Sequence, residues 1–140
     1  MVTITLKGRE IPLLFTSWEM KQVGEEIAPF GKAIDMVTGR DPDNEDKTDK
    51  EKYGSAEHLS AVAKMIRIMG NAGLEEAGET PDLTEKFILR AVRPKDLAML
   101  VNECMNALND GMASEIPPKE ENGPVDVTLE EMNKKKEAES

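Results

Sequence analysis

Few residues in this sequence are equipped for catalysis. His58 is the only histidine and Cys104 the only cysteine. A Ser-His-Asp triad would have to take its base from His58, and no G-x-S-x-G turn presents a serine nucleophile. The pattern around His58 puts it on the polar face of a helix, where a solvated imidazole is the expectation. Cys104 by itself can build neither an intramolecular disulfide nor a thiolate zinc cluster, and a lone thiol fits a reducing cytosol. Asp41, Asp43 and Glu45 alternate like calcium-loop ligands. The sixth position, however, is Asp46 where the loop needs Gly, and the twelfth is Lys52 where it needs a bidentate Glu. No phosphate-cradling glycine loop occurs. The reading therefore assigns no catalytic residue, no metal ligand and no cofactor site, and expects a protein that is not an enzyme.

The elements that would carry any site are more legible. Val2, Ile4 and Leu6 alternate with Thr3, Thr5 and Lys7, Lys7-Gly8 forms a turn, and a second apolar run passes through Ile11 and Leu13. Residues 2–15 should thus form a β-hairpin, with Pro12 limiting its strand to an edge. A hairpin alone is marginal and must lay its apolar face on helices. Thr16 and Glu19 stand as Thr-x-x-Glu, a capping box that starts a helix. Trp18, Val23 and Ile27 are read as its core face, with Glu19, Lys21, Gln22 and Glu26 on the wet one. Past Pro29 and Gly31, the residues Ala33, Ile34 and Val37 predict a short helix ending at Gly39. Arg40 to Lys52 contains no large apolar residue, so 40–54 reads as an exposed, mobile loop.

Ser55 is a cap for a helix with Leu59, Val62, Ala63, Ile66 and Met69 at spacings of three and four, and Gly70 and Gly73 read as its stop. Another helix start has Asp82 three residues before Glu85, with Phe87, Ile88 and Ala91 as the apolar face. Pro94 ends that helix and opens the next, whose stripe of Leu97, Leu100, Val101, Cys104, Met105 and Leu108 runs to Gly111. The expected fold is α+β, mostly α, with the hairpin packed on four to five helices. Residues 1–112 form one domain, in which 16–112 is the helical part. Residues 113–140, with Pro117, Pro118 and Pro124 among many charges, read as a disordered or partly helical tail dispensable for folding, with a short helix from Thr128.

Composition narrows the partners. The formal net charge is −10, the wrong sign for displacing counterions from nucleic acid. The two helices around RAVRPKDL cannot serve as a DNA-reading pair either, because the second offers Asp96, Glu103 and Asp110 to the groove. No run approaches the roughly 20 apolar residues of a membrane span, and the N-terminus lacks the apolar core of a signal peptide. Aromatic residues make up 4% of the chain while Met occurs 9 times, so much of the apolar surface is adaptable thioether. Met65 and Met69 on one helix and Met99 and Met105 on another are the candidate lining of a partner-binding groove.

Three stretches together, LKGREIPLLFTSWEMKQVGEEI, KMIRIMGNAGLEEAGETPDLTEKFILRAVRPKDL and PVDVTLEEMNKKK, resemble the tail assembly chaperones of phages and prophages with long non-contractile tails. The resemblance runs from about Val2 to Lys136. It implies a non-catalytic protein of the host cytoplasm, absent from the mature virion, that keeps the tape-measure protein soluble while tail tube protein polymerises around it. It also implies a longer product made by frameshifting near Lys134, Lys135 and Lys136, and leaves room for a homo-oligomer. A small acidic adaptor that binds another protein is the alternative, and an enzyme with an unrecognised site is a third class.

Overall fold

Period-two alternation produces the first element. Val2–Leu6 (β1) and Arg9–Leu13 (β2) pair antiparallel, with Ile4 opposite Ile11 and Leu6 opposite Arg9. Lys7 and Gly8 both have positive φ, 50° and 79°, the two-residue turn whose twist suits the strands. Ile4, Leu6, Ile11 and Leu13 share one face and are buried, each contributing roughly 1.5–3 kcal/mol, which is why a hairpin marginal in isolation persists here. The structure, a computed structural model, describes residues 1–41, 44–48 and 51–113, with the backbone alone for 41 and 44–48. The expectations for the tail beyond Ala113, for the helix from Thr128 and for the lysines at 134–136 lie outside the described residues.

Five helices follow among the described residues: α1 Ser17–Glu26, α2 Phe30–Thr38, α3 Ala56–Glu76, α4 Glu85–Ala91 and α5 Leu97–Met112, the last entered through a 3-10 turn at Pro94–Asp96. The fold is α+β and mostly α, as the pattern implies. Helix α3 is its axis, since β2, α1, α2, α4 and α5 all pack against it. Its Val62, Met65, Ile66, Met69 and Leu74 are fully buried. Arg67 on α3 pairs with Glu26 of α1 and lies 3.8 Å from Glu85 of α4, so one guanidinium ties three helices.

Three expectations are corrected by the fold. Gly70 and Gly73 do not stop α3, which continues to Glu76. Both are buried where α3 presses on β2: a Cβ on Gly73 would overlap the Pro12 carbonyl oxygen, and one on Gly70 would meet Leu83 Cδ1 at 2.5 Å. These glycines permit close approach, and tertiary contact outweighs their low helix propensity. Asp82 does not cap α4. The cap is Thr84, whose side-chain oxygen accepts from the Phe87 N–H at 3.1 Å, while Asp82 pairs with Arg9 at 2.9 Å. The segment read as a loop over 40–54 holds two strands, β3 Arg40–Asp41 and β4 Asn44–Thr48, paired antiparallel with an irregularity between Arg40 and Asp41. A backbone ladder needs no apolar side chain, which is why composition missed it. Helix α5 reaches Gly111 as its apolar stripe implies, and ends at Met112.

Candidate protein-binding surface

At the head of α1 the capping box forms as the spacing requires, the Thr16 N–H donating to Glu19 Oε1 at 2.8 Å. The consequence reverses the expected faces. Glu19, assigned to the wet side, is 5% exposed because its carboxylate folds back onto the cap, and Trp18, assigned to the core, is 63% exposed. Val23 keeps the core position expected of it and Ile27 is half-buried. The Lys21 amine sits 5.1 Å from the Trp18 ring centroid, a cation–π contact worth about 0.5–1 kcal/mol at an exposed site. A cleft of about 130 Å³ opens beside the indole, between α1 and Arg67, Ile68 and Asn71 of α3.

His58 is the second correction at the level of sites. It is 2% exposed, not solvated. The Gly54 N–H donates to His58 Nδ1 at 2.9 Å, so Nε2 carries the proton and donates to the Val37 carbonyl, also at 2.9 Å. Tyr53 packs its ring 4.6 Å from the imidazole, and Gly39, at φ 67°, leaves space for both rings. Burial lowers the pKa below the ordinary histidine value, with the Val37 hydrogen bond pulling partly the other way. With both nitrogens engaged, His58 joins the end of α2 to the start of α3 and has no lone pair free for a substrate. Cys104 is fully buried in α5, and its thiol pKa is pushed up to about 12 by burial, so it stays protonated and unreactive. Among the described residues, no group of three or more His, Cys, Asp or Glu side chains is placed to hold a metal ion, and no helix is long and apolar enough to cross a membrane.

The four methionines separate. Met65 and Met69 have no exposed surface and belong to the core, and Met105 is half-buried against it. With Met65 and Met69 inside the core, the four side chains do not share one exposed surface. Met99 alone is exposed, at 59%. It lines a different groove of about 350 Å³ that runs along β1 from Thr3 to Leu6 and is floored by Val92, Met99 and Leu100. Sequence reasoning passed over this groove because it depends on how a strand edge and the start of α5 are placed, which no periodicity encodes. Among the described residues, the large apolar side chains that the helices leave to solvent are Trp18, Met99 and, at the end of α5, Met112. Comparison with known proteins finds no matching family, curated protein or solved structure.

Proposed function

We propose that this chain is a non-catalytic assembly chaperone of the phage-tail type, which holds a long helical tape-measure protein in solution while tail tube protein assembles on it. The observation that supports this reading most is Trp18. A domain with a single tryptophan leaves it in solvent at the start of α1, beside a cleft, where a rigid amphipathic ring is a strong anchor for a partner's apolar helix. The acidic charge of the chain would keep such a complex soluble. The resemblance of the sequence to tail assembly chaperones supplies the identity of the client. Co-expression with a phage tape-measure protein tests it. The full chain should keep the client soluble and co-purify with it, and Trp18→Ser should weaken the complex by about tenfold or more while leaving the circular dichroism spectrum unchanged. A client that is equally soluble without this chain, or that never co-purifies, refutes the proposal.

A further inference from the structure

The hairpin has one covered edge and one open edge, and the turn determines which backbone groups point where. In a two-residue turn the flanking residues, Leu6 and Arg9, form a hydrogen-bonded pair. Alternation then makes Ile4 with Ile11 and Val2 with Leu13 the other hydrogen-bonded pairs, and Thr3 with Pro12 and Thr5 with Glu10 the non-bonded ones. Pro12 confirms the phase, since its missing N–H falls where the β1–β2 ladder asks for none. On the β2 side α3 covers the outward edge: the Leu14 N–H donates to the Met69 carbonyl at 3.0 Å, and the Pro12 carbonyl lies against Gly73. On the β1 side the N–H and C=O groups of Thr3 and Thr5 face outward, and no described residue bonds them. They open into the groove floored by Val92, Met99 and Leu100, where the charged side chains among the described residues are Asp96 and Glu103. Neither makes an ion pair with another described residue.

We propose that the open edge of β1 and the apolar floor beside it form a strand-addition site for an extended basic segment of a partner protein, one that alternates apolar side chains with Lys or Arg. The outward amides of Thr3 and Thr5 supply the hydrogen bonds, Met99 and Val92 receive the alternate apolar side chains, and Asp96 and Glu103 select flanking cations. Charge decides the occupant. A second copy of this chain would bring its own Asp96 and Glu103 to the same place, and the sequence from Ser114 onward is itself rich in Asp and Glu. The site is independent of the chaperone reading, because a strand-like ligand on β1 and a helical client at Trp18 use different chemistry on different elements.

The test uses the full chain and a capped octapeptide alternating valine with lysine, followed by calorimetry and by amide hydrogen exchange. The expected result is saturable binding with Kd below about 1 mM, slower exchange at Thr3 and Thr5, and binding about tenfold weaker or worse for a peptide N-methylated at the amides facing β1. Met99→Ser, at an exposed position, should weaken binding while leaving the fold intact, and the double variant Asp96→Asn, Glu103→Gln should flatten its salt dependence. The proposal is overturned by absence of saturation, by equal affinity of the N-methylated peptide, or by equal affinity of a peptide with glutamate in place of lysine. It is also overturned if the Thr3 and Thr5 amides are already protected in the free chain. Protection that grows with protein concentration would assign the edge to a second copy, and protection independent of concentration to the chain itself. None of these outcomes bears on co-purification with a tape-measure protein.

Discussion

The two hairpins of this molecule are held by opposite means. In β1–β2 the side chains hold the strands: Ile4, Leu6, Ile11 and Leu13 anchor one face to the helices, and pairing follows from that burial. In β3–β4 the sequence offers no large apolar anchor, and what is fixed is the base. His58 bonds Val37, three residues before the first strand, and Gly54, six residues after the second, so the two ends of the excursion are brought together from α3. A strand pair can therefore be specified by the faces of its strands or by closure at its ends, and only the first leaves a period in the sequence.

The comparison breaks most sharply at Gly73. Gly73→Ala drives a methyl into the Pro12 carbonyl and must separate α3 from β2, so a loss of about 3 kcal/mol or more in urea unfolding is expected. By contrast Gly24→Ala, where a Cβ meets nothing within 4 Å, should gain up to about 1 kcal/mol. If the two variants behave alike, close packing under β2 is not what seats the first hairpin. Next in size, His58→Ala removes two hydrogen bonds and the Tyr53 contact and should cost about 2–3 kcal/mol. Its signature is local: amide exchange at Gly54 should accelerate far more than at Ile4 or Ile11. Uniform acceleration across both hairpins would contradict the separation drawn here.

A gentler probe of the same clasp is pH. The folded pKa of His58 lies below the ordinary value of about 6.5 that it regains on unfolding. Between those two values the unfolded chain binds more protons, so the contribution of His58 is complete above about pH 6.5 and is lost as pH falls toward the folded value. Protonation would also place a hydrogen on Nδ1, facing the Gly54 N–H. Urea midpoints measured from pH 7.5 downward should therefore drop more in the wild type than in His58→Gln, and parallel curves would remove the clasp from the argument. The smallest effect is expected at Thr16→Ala, about 1 kcal/mol, because the cap of α1 orders one helix start without touching either hairpin. A thermal melt that loses cooperativity in that variant would show the cap to matter more widely.

Much of this architecture was legible in the sequence, and the misreadings have a common cause. The hairpin, the capping box and the stripe on α5 follow from patterns repeated over several residues. The misreadings fall on single residues, where the angle of one side chain around its helix decides its face. Trp18 and Val23 are five apart, about 140° around a helix, so they cannot share a face, whereas Glu19, Val23 and Ile27 are each four apart and do. His58 stands four residues before Val62, on the same buried stripe, and the same count would have placed it inside. Gly70 and Gly73 look like stop signals because glycine serves both ends and close contacts, and only the position of Pro12 across the interface tells them apart. The exposure of Met99 and the groove beside it depend on relations between distant segments, which local periodicity does not carry.

Pro12 has one more effect, on how far this protein can associate through its sheet. Indefinite edge-to-edge stacking needs two complementary free edges per subunit, so that each copy adds to the last and presents a new template. Here the Pro12 carbonyl of β2 lies against Gly73 of α3 and the following Leu14 N–H donates to Met69, so within this hairpin β1 is the edge left able to accept a strand. Two copies that join β1 to β1 leave no further open edge on this hairpin. This hairpin thus has a valence of one for pairing between copies, and β1 alone cannot propagate a fibre.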